Sequence, residues 1–139
     1  HDRLSTVTLE GTKRASQSAY KMAGLTAKDI QLAEVHDCFT IAELLAYEDL
    51  GFCEKGKAGQ FIEEGHTKFD GDKPVNVSGG LKSKGHPIGS TGTGQAYEMF
   101  NQLRGTAQKP TRQVKGVERG LVHNVGGSGG TVSVSILER

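Results

Sequence analysis

The residues from Val77 to Tyr97 read VSGGLKSKGHPIGSTGTGQAY, with glycines on both sides of one His-Pro pair, just ahead of a segment with helical character. Glycine-rich turns at helix entrances often hold phosphate. Here the supporting patterns are missing: there is no GxxxxGK[ST], and His86-Pro87 interrupts the place where a GxGxxG loop would converge its amides. What remains is a mount for an imidazole. Pro87 fixes φ on one side of His86, and Gly85 lets the backbone turn on the other. A helix amino terminus close by favours the neutral ring, which suits general-base work or donation to an oxyanion. A buried, satisfied histidine in a tight turn is the competing reading of the same residues.

Two other segments carry chemistry of the same kind. EVHDCF puts His36 at the carboxyl end of a short strand, just before a helix, where α/β proteins commonly bind ligands. LVHNVGGSGG puts His123 at the end of another strand, ahead of glycines that admit a close ligand. Three imidazoles at strand ends or at a loop abutting a helix favour a common site. A metal centre is poorly supported, because His36, His66, His86 and His123 include no HxH or HxxxH pair. Cys38 precedes a helix, a position that activates thiols. Cys53 lies beyond the glycine that stops that helix.

The elements that must position these groups follow from periodicity. Ala15, Ala19, Met22 and Ala23 recur at helical spacing from about Gly11, with Gly24 as the stop. Leu32 to His36 reads as a buried strand. Thr40 and Glu43 have the spacing of a capping box, with Phe39 and Leu44 as its hydrophobic staple, and Gly51 ends that helix. Residues 53–73 read as a long polar loop with at most one helical turn. Ala96, Met99, Phe100 and Leu103 trace a helix face closed by Gly105. Leu121 to His123 and Thr131 to Leu137 read as strands, the second alternating Val132, Val134 and Ile136 with serines. This order predicts an α/β fold, a mixed β-sheet layered with helices. Three strands are few for such a fold and the chain lacks an initiator Met, so a piece incomplete at its amino-terminal side is expected.

Bulk properties narrow the classes further. A net charge of +1 with 24% charged residues gives no electrostatic case for nucleic acid or for a membrane surface. There is no apolar run long enough for a membrane helix, and no charged-then-apolar leader. Two cysteines are too few for a disulfide framework, which fits reduced thiols and a cytoplasmic setting.

The block NVSGGLKSKGHPIGSTGTGQAYE resembles the Asn-x-x-Gly-Gly…Gly-His-Pro-x-Gly-x-[ST]-Gly signature of the thiolase superfamily. AEVHDCF is similar to its His-Asp-Cys-Phe block, as found in the sterol-carrier-protein type, and HNVGGSGG occupies the place of its terminal Cys-x-Gly motif. The resemblance runs in order from about residue 11 to residue 139. It implies the carboxy-terminal domain of an acyltransferase, spanning 1–139, that acts on acyl-CoA thioesters by Claisen-type chemistry. On that likeness His86 would activate a cysteine nucleophile and help bind the enolate oxygen. His36 would complete that oxyanion site, and His123 would move the α-proton in place of the motif's cysteine. The Val125 N–H, with Gly126 beside it, would serve the second oxyanion site.

The resemblance further implies that the nucleophile lies in an amino-terminal half, with Cys38 and Cys53 as bystanders. It implies acyl-CoA and CoA as substrates with no permanently bound cofactor or metal, and a homodimer or larger oligomer. A thiolase-like aldolase and a non-catalytic acyl-CoA or lipid-binding module are the alternatives.

Overall fold

The computed structural model describes residues 5–139. Eight regular elements follow in order: α1 (Glu10–Ala23), β1 (Leu32–Glu34), α2 (Thr40–Asp49), α3 (Ala58–Glu63), α4 (Gly80–Lys84), α5 (Thr91–Arg104), β2 (Arg119–Gly126) and β3 (Thr131–Glu138). The sheet has the order β1-β2-β3, with β1 parallel to β2 and β2 antiparallel to β3. It is the mixed sheet that the sequence predicts. Val75 adds one parallel bridge to Ala33 on the outer edge of β1.

Strand alternation divides the core between two faces. Ala33, Val35 and Leu121 point to α2, where Ala46, Tyr47 and Leu50 meet them, with Val134 and Ile136 of β3 alongside. Leu32 and Val122 point the other way, onto Met99 and Leu103 of α5. Helices therefore cover both faces. Gly120 of β2 lies beneath Met99: a Cβ there would sit 1.9 Å from the Met99 sulfur. Only a missing side chain lets α5 approach this closely.

Several expectations are corrected. The buried side of α1 is Thr12 and Ser16, not the Met22 side; Met22 is 86% exposed. Ser16 donates to the carbonyl of Asp49, and the Tyr20 hydroxyl donates to the carbonyl of Leu50. The helix thus docks through polar contacts that an apolar-periodicity rule does not weigh. At α2 the N-cap position is Phe39, which makes no side-chain cap and is 69% exposed, so neither the box nor the staple forms. Glu43 turns instead to Tyr47 and Asn76. A capping box does form at Thr26 and Asp29, at the start of a 3₁₀ turn.

On α5, Phe100 is exposed and the buried side includes Gln95 and Gln102. Residues 53–73 contain α3, which is longer than one turn. They also contain His66, whose ring stacks on Phe61 between the carboxylates of Asp72 and Glu64. No helix among the described residues is long and apolar enough to cross a membrane.

Candidate active site

The strand expected over Leu32 to His36 ends at Glu34, so His36 lies two residues beyond the parallel edge strand of the sheet. Two side chains stitch this strand end to the segment that follows Val75. The amide of Val35 donates to Asn76 Oδ1 at 2.8 Å, and Asn76 takes a left-handed conformation, φ 53°, to make that contact. Asn76 also donates from Nδ2 to Glu43 on α2. Glu34 is fully buried and accepts from the amide and the hydroxyl of Ser78, at 3.0 and 2.5 Å. Burial pushes its carboxyl up, while Ser78's donors and then the nearby Lys84 pull the other way. Lys84 lies 3.8 Å away.

His86 enters from Gly85, whose φ of 87° is the turn that the glycine makes possible. Its ring is held from the other flank. Nδ1 lies 2.7 Å from Thr91 Oγ1, and that hydroxyl donates to the carbonyl of Pro87 at 3.1 Å. A hydroxyl has one proton. With that proton committed to Pro87, Thr91 can only accept from His86, so Nδ1 carries the hydrogen and Nε2 the lone pair. The ring is exposed, and its centroid stands 5.0 Å from that of His36, edge to face at 84°.

His36 is 4% exposed, and its Nδ1 is the one buried side-chain nitrogen or oxygen among the described residues without a hydrogen-bond partner. Leaving such a group unsatisfied costs about 1–3 kcal/mol. Burial, and next the neighbouring His86, lower the affinity of His36 for a proton, while Asp37 acts in the opposite direction.

His123 is joined to His36 from behind. Its Nδ1 accepts the His36 amide at 3.4 Å, and its Nε2 lies 2.9 Å from Thr12 Oγ1. Acceptance at Nδ1 places the ring hydrogen on Nε2, which donates to Thr12. The side chain is 0% exposed, and burial pushes its pKa down to about 3. Gln95 of α5 donates to the His123 carbonyl and accepts from Asn124.

The structure therefore brings His36, His86 and His123 together. Val125 and Gly126 pair with Val132 and Thr131 in the last two rungs of the hairpin. Cys38 and Cys53 are both free and part-buried, and burial pushes the Cys53 thiol up to about 11, away from nucleophile character. Among the described residues no three His, Cys, Asp or Glu side chains are grouped to hold a metal.

Thr91, Thr12, Asn76 and Gln95 did not come out of the sequence reading as supports. Thr91 and Asn76 stand at fixed places in the Gly-His-Pro block, and that position was the available signal. Thr12 is 111 residues from His123, and nothing local marks it.

Comparison with known proteins bears on the family and the fold. Residues 1–139 match the family described as thiolase C-terminal domain-like. The chain is 55% identical, over 139 residues, to an acetyl-CoA acetyltransferase of Methanothermobacter thermautotrophicus, matching 100% of this chain and 36% of that protein. It is 44% identical over 133 residues to human sterol carrier protein 2, matching 96% of this chain and 24% of that one. Among solved structures, the Ltp2-ChsH2(DUF35) aldolase superposes with a TM-score of 0.84 at 30% identity, over 99% of this chain and 34% of that chain. The chain thus spans about a third or less of the length of these relatives.

Proposed function

Because the chain belongs to the thiolase C-terminal domain-like family, we propose that it carries the histidine half of an acyl-CoA acyltransferase site. The cysteine nucleophile comes from an amino-terminal half. One observation carries this reading: a basic Nε2 on His86, fixed by Thr91 and Pro87, beside a His36 ring whose Nδ1 has no partner.

The chemistry follows from that pair. His86 Nε2 takes the proton of the cysteine thiol. The thiolate attacks either the thioester carbonyl carbon of an acyl-CoA, which expels CoA, or the 3-oxo carbon of a 3-oxoacyl-CoA, which expels the enolate of a shortened acyl-CoA. The protonated ring and His36 then donate to the oxygen that gains charge. As the tetrahedral intermediate collapses, the proton passes to the leaving group, and Nε2 is free to remove an α-proton from a second thioester. Val125 N–H and Gly126 provide the second oxyanion site in this reading.

In this reading His123 has a supporting role. With both ring nitrogens engaged and no exposure, it holds the His36 backbone in place, and the α-proton falls to His86. Acyl-CoA and CoA are the substrates. A homodimer and a cytoplasmic location belong to the same proposal.

The test is cleavage of acetoacetyl-CoA by CoA in the full-length protein. Turnover that is blocked by thiol alkylation supports acyl transfer through cysteine. The structural likeness to an aldolase favours one alternative, cleavage of a β-hydroxyacyl-CoA without a covalent intermediate. Alkylation-insensitive cleavage of that substrate, with no thiolysis, would select it. Binding of acyl-CoA without either reaction would indicate a non-catalytic carrier.

A further inference from the structure

Asp37 follows His36 directly and is 3% exposed, and its carboxylate accepts from backbone amides rather than from a histidine ring. Its carboxylate points at the first amides of α4. Oδ1 accepts from Leu81 N–H at 2.7 Å, and Oδ2 lies 3.4 Å from Lys82 N. The fit leaves no room for a side chain at the neighbouring Gly80, whose left-handed φ of 63° also favours glycine. A Cβ on Gly80 would lie 2.2 Å from Asp37 Oδ2 and 2.7 Å from its Cγ.

From this anchor to His86 is a short and stiff path. α4 ends at Lys84, and the Gly85 amide closes its last turn on the Leu81 carbonyl at 2.9 Å. His86 comes next. One strand end therefore carries the His36 ring on one residue and, on the following residue, the carboxylate that locates the His86 turn. The opposite flank of His86 is held separately, by Thr91.

We propose that Asp37 is a positioning residue that sets the spacing between the His36 and His86 rings, by holding α4 against the end of β1. This rests on the acyl-transfer reading only for its effect on rate. The ring spacing itself is independent of what reaction the site performs.

The experiment uses full-length protein labelled with ¹³C,¹⁵N-histidine. Without substrate, it reads the nuclear Overhauser contact between the His36 and His86 rings and the tautomer of His86. In Asp37→Ala the ring contact should disappear while His86 keeps its hydrogen on Nδ1, because the Thr91 flank is intact. Asp37→Asn retains an acceptor for Leu81 and should restore the contact. Gly80→Ala leaves Asp37 in the chain but displaces its carboxylate, and should reproduce the loss.

In turnover, Asp37→Ala should lower kcat by about 10²-fold with little change in KM, as small misplacements of reacting groups do. Asp37→Asn should recover most of it. An undisturbed ring contact in folded Asp37→Ala or in Gly80→Ala would overturn the proposal. So would an Asp37→Asn protein as defective as Asp37→Ala. Should the wild-type protein prove inactive toward acyl-CoA, the acyl-transfer reading fails, and the ring-contact measurement still decides the role of Asp37.

Discussion

His86 and His123 share a residue type but differ in what their nitrogens can do. His86 keeps a lone pair on an exposed ring, because Thr91 spends its single proton on Pro87. His123 has both nitrogens committed inside the protein, and burial pushes its pKa from the ordinary 6.5 down to about 3. Between these values the unfolded chain takes up a proton that the folded chain refuses. Stability is therefore full above pH 6.5 and falls as the pH drops toward 3, by about 1.4 kcal/mol per pKa unit. His123→Gln, which hydrogen-bonds but does not titrate, should show a flatter decline than wild type in urea melts across that window. Equal slopes in the two proteins would show that His123 is not the buried neutral ring described. In the sequence, the glycine and proline around His86 disclosed a mounted ring, since both act through the local backbone. The burial of His123 was illegible there, because Thr12 reaches it only through the packing of α1 on β3.

At the scale of elements, the sheet and its helices were legible wherever apolar periodicity sets the packing, as at β3 and at Met99 and Leu103 of α5. They were illegible where polar side chains or glycines do the packing. Thr12 and Ser16 bury α1, Gln95 and Gln102 bury part of α5, and α4 begins at a glycine pair that no propensity rule would start a helix with. Gly120 illustrates the point. Its bare Cα is what lets Met99 sit on β2, 1.9 Å from where a Cβ would be. Gly120→Ala should force α5 outward and destabilise the chain by about 1–3 kcal/mol, the usual cost of overpacking. A melt that moves by less than a few tenths of a kcal/mol would contradict this account of α5 docking. Because Gln95 joins α5 to the His123 carbonyl, the same substitution should also perturb the His123 resonances.

Across the whole molecule, the histidines lie next to apolar surface. Ile88 is 88% exposed two residues from His86, and Phe39 and Ile41 are 69% and 59% exposed just beyond Cys38. Such surface near the histidine pair suits a covering partner, and on the proposed reading that partner is the cysteine-bearing half. Residues 1–139 expressed alone should bind a hydrophobic dye, and co-expression with the amino-terminal half should suppress that binding. A dye-silent monomer would argue that these side chains await no partner. The central claim is that His86 Nε2 is the proton acceptor that arms a cysteine from outside this domain. Its most direct test is the single-turnover rate of acylation by acetyl-CoA in the full-length protein, wild type against His86→Ala. The account predicts a fall of about 10²–10³-fold with the protein still folded. Acylation at the wild-type rate in folded His86→Ala would contradict it.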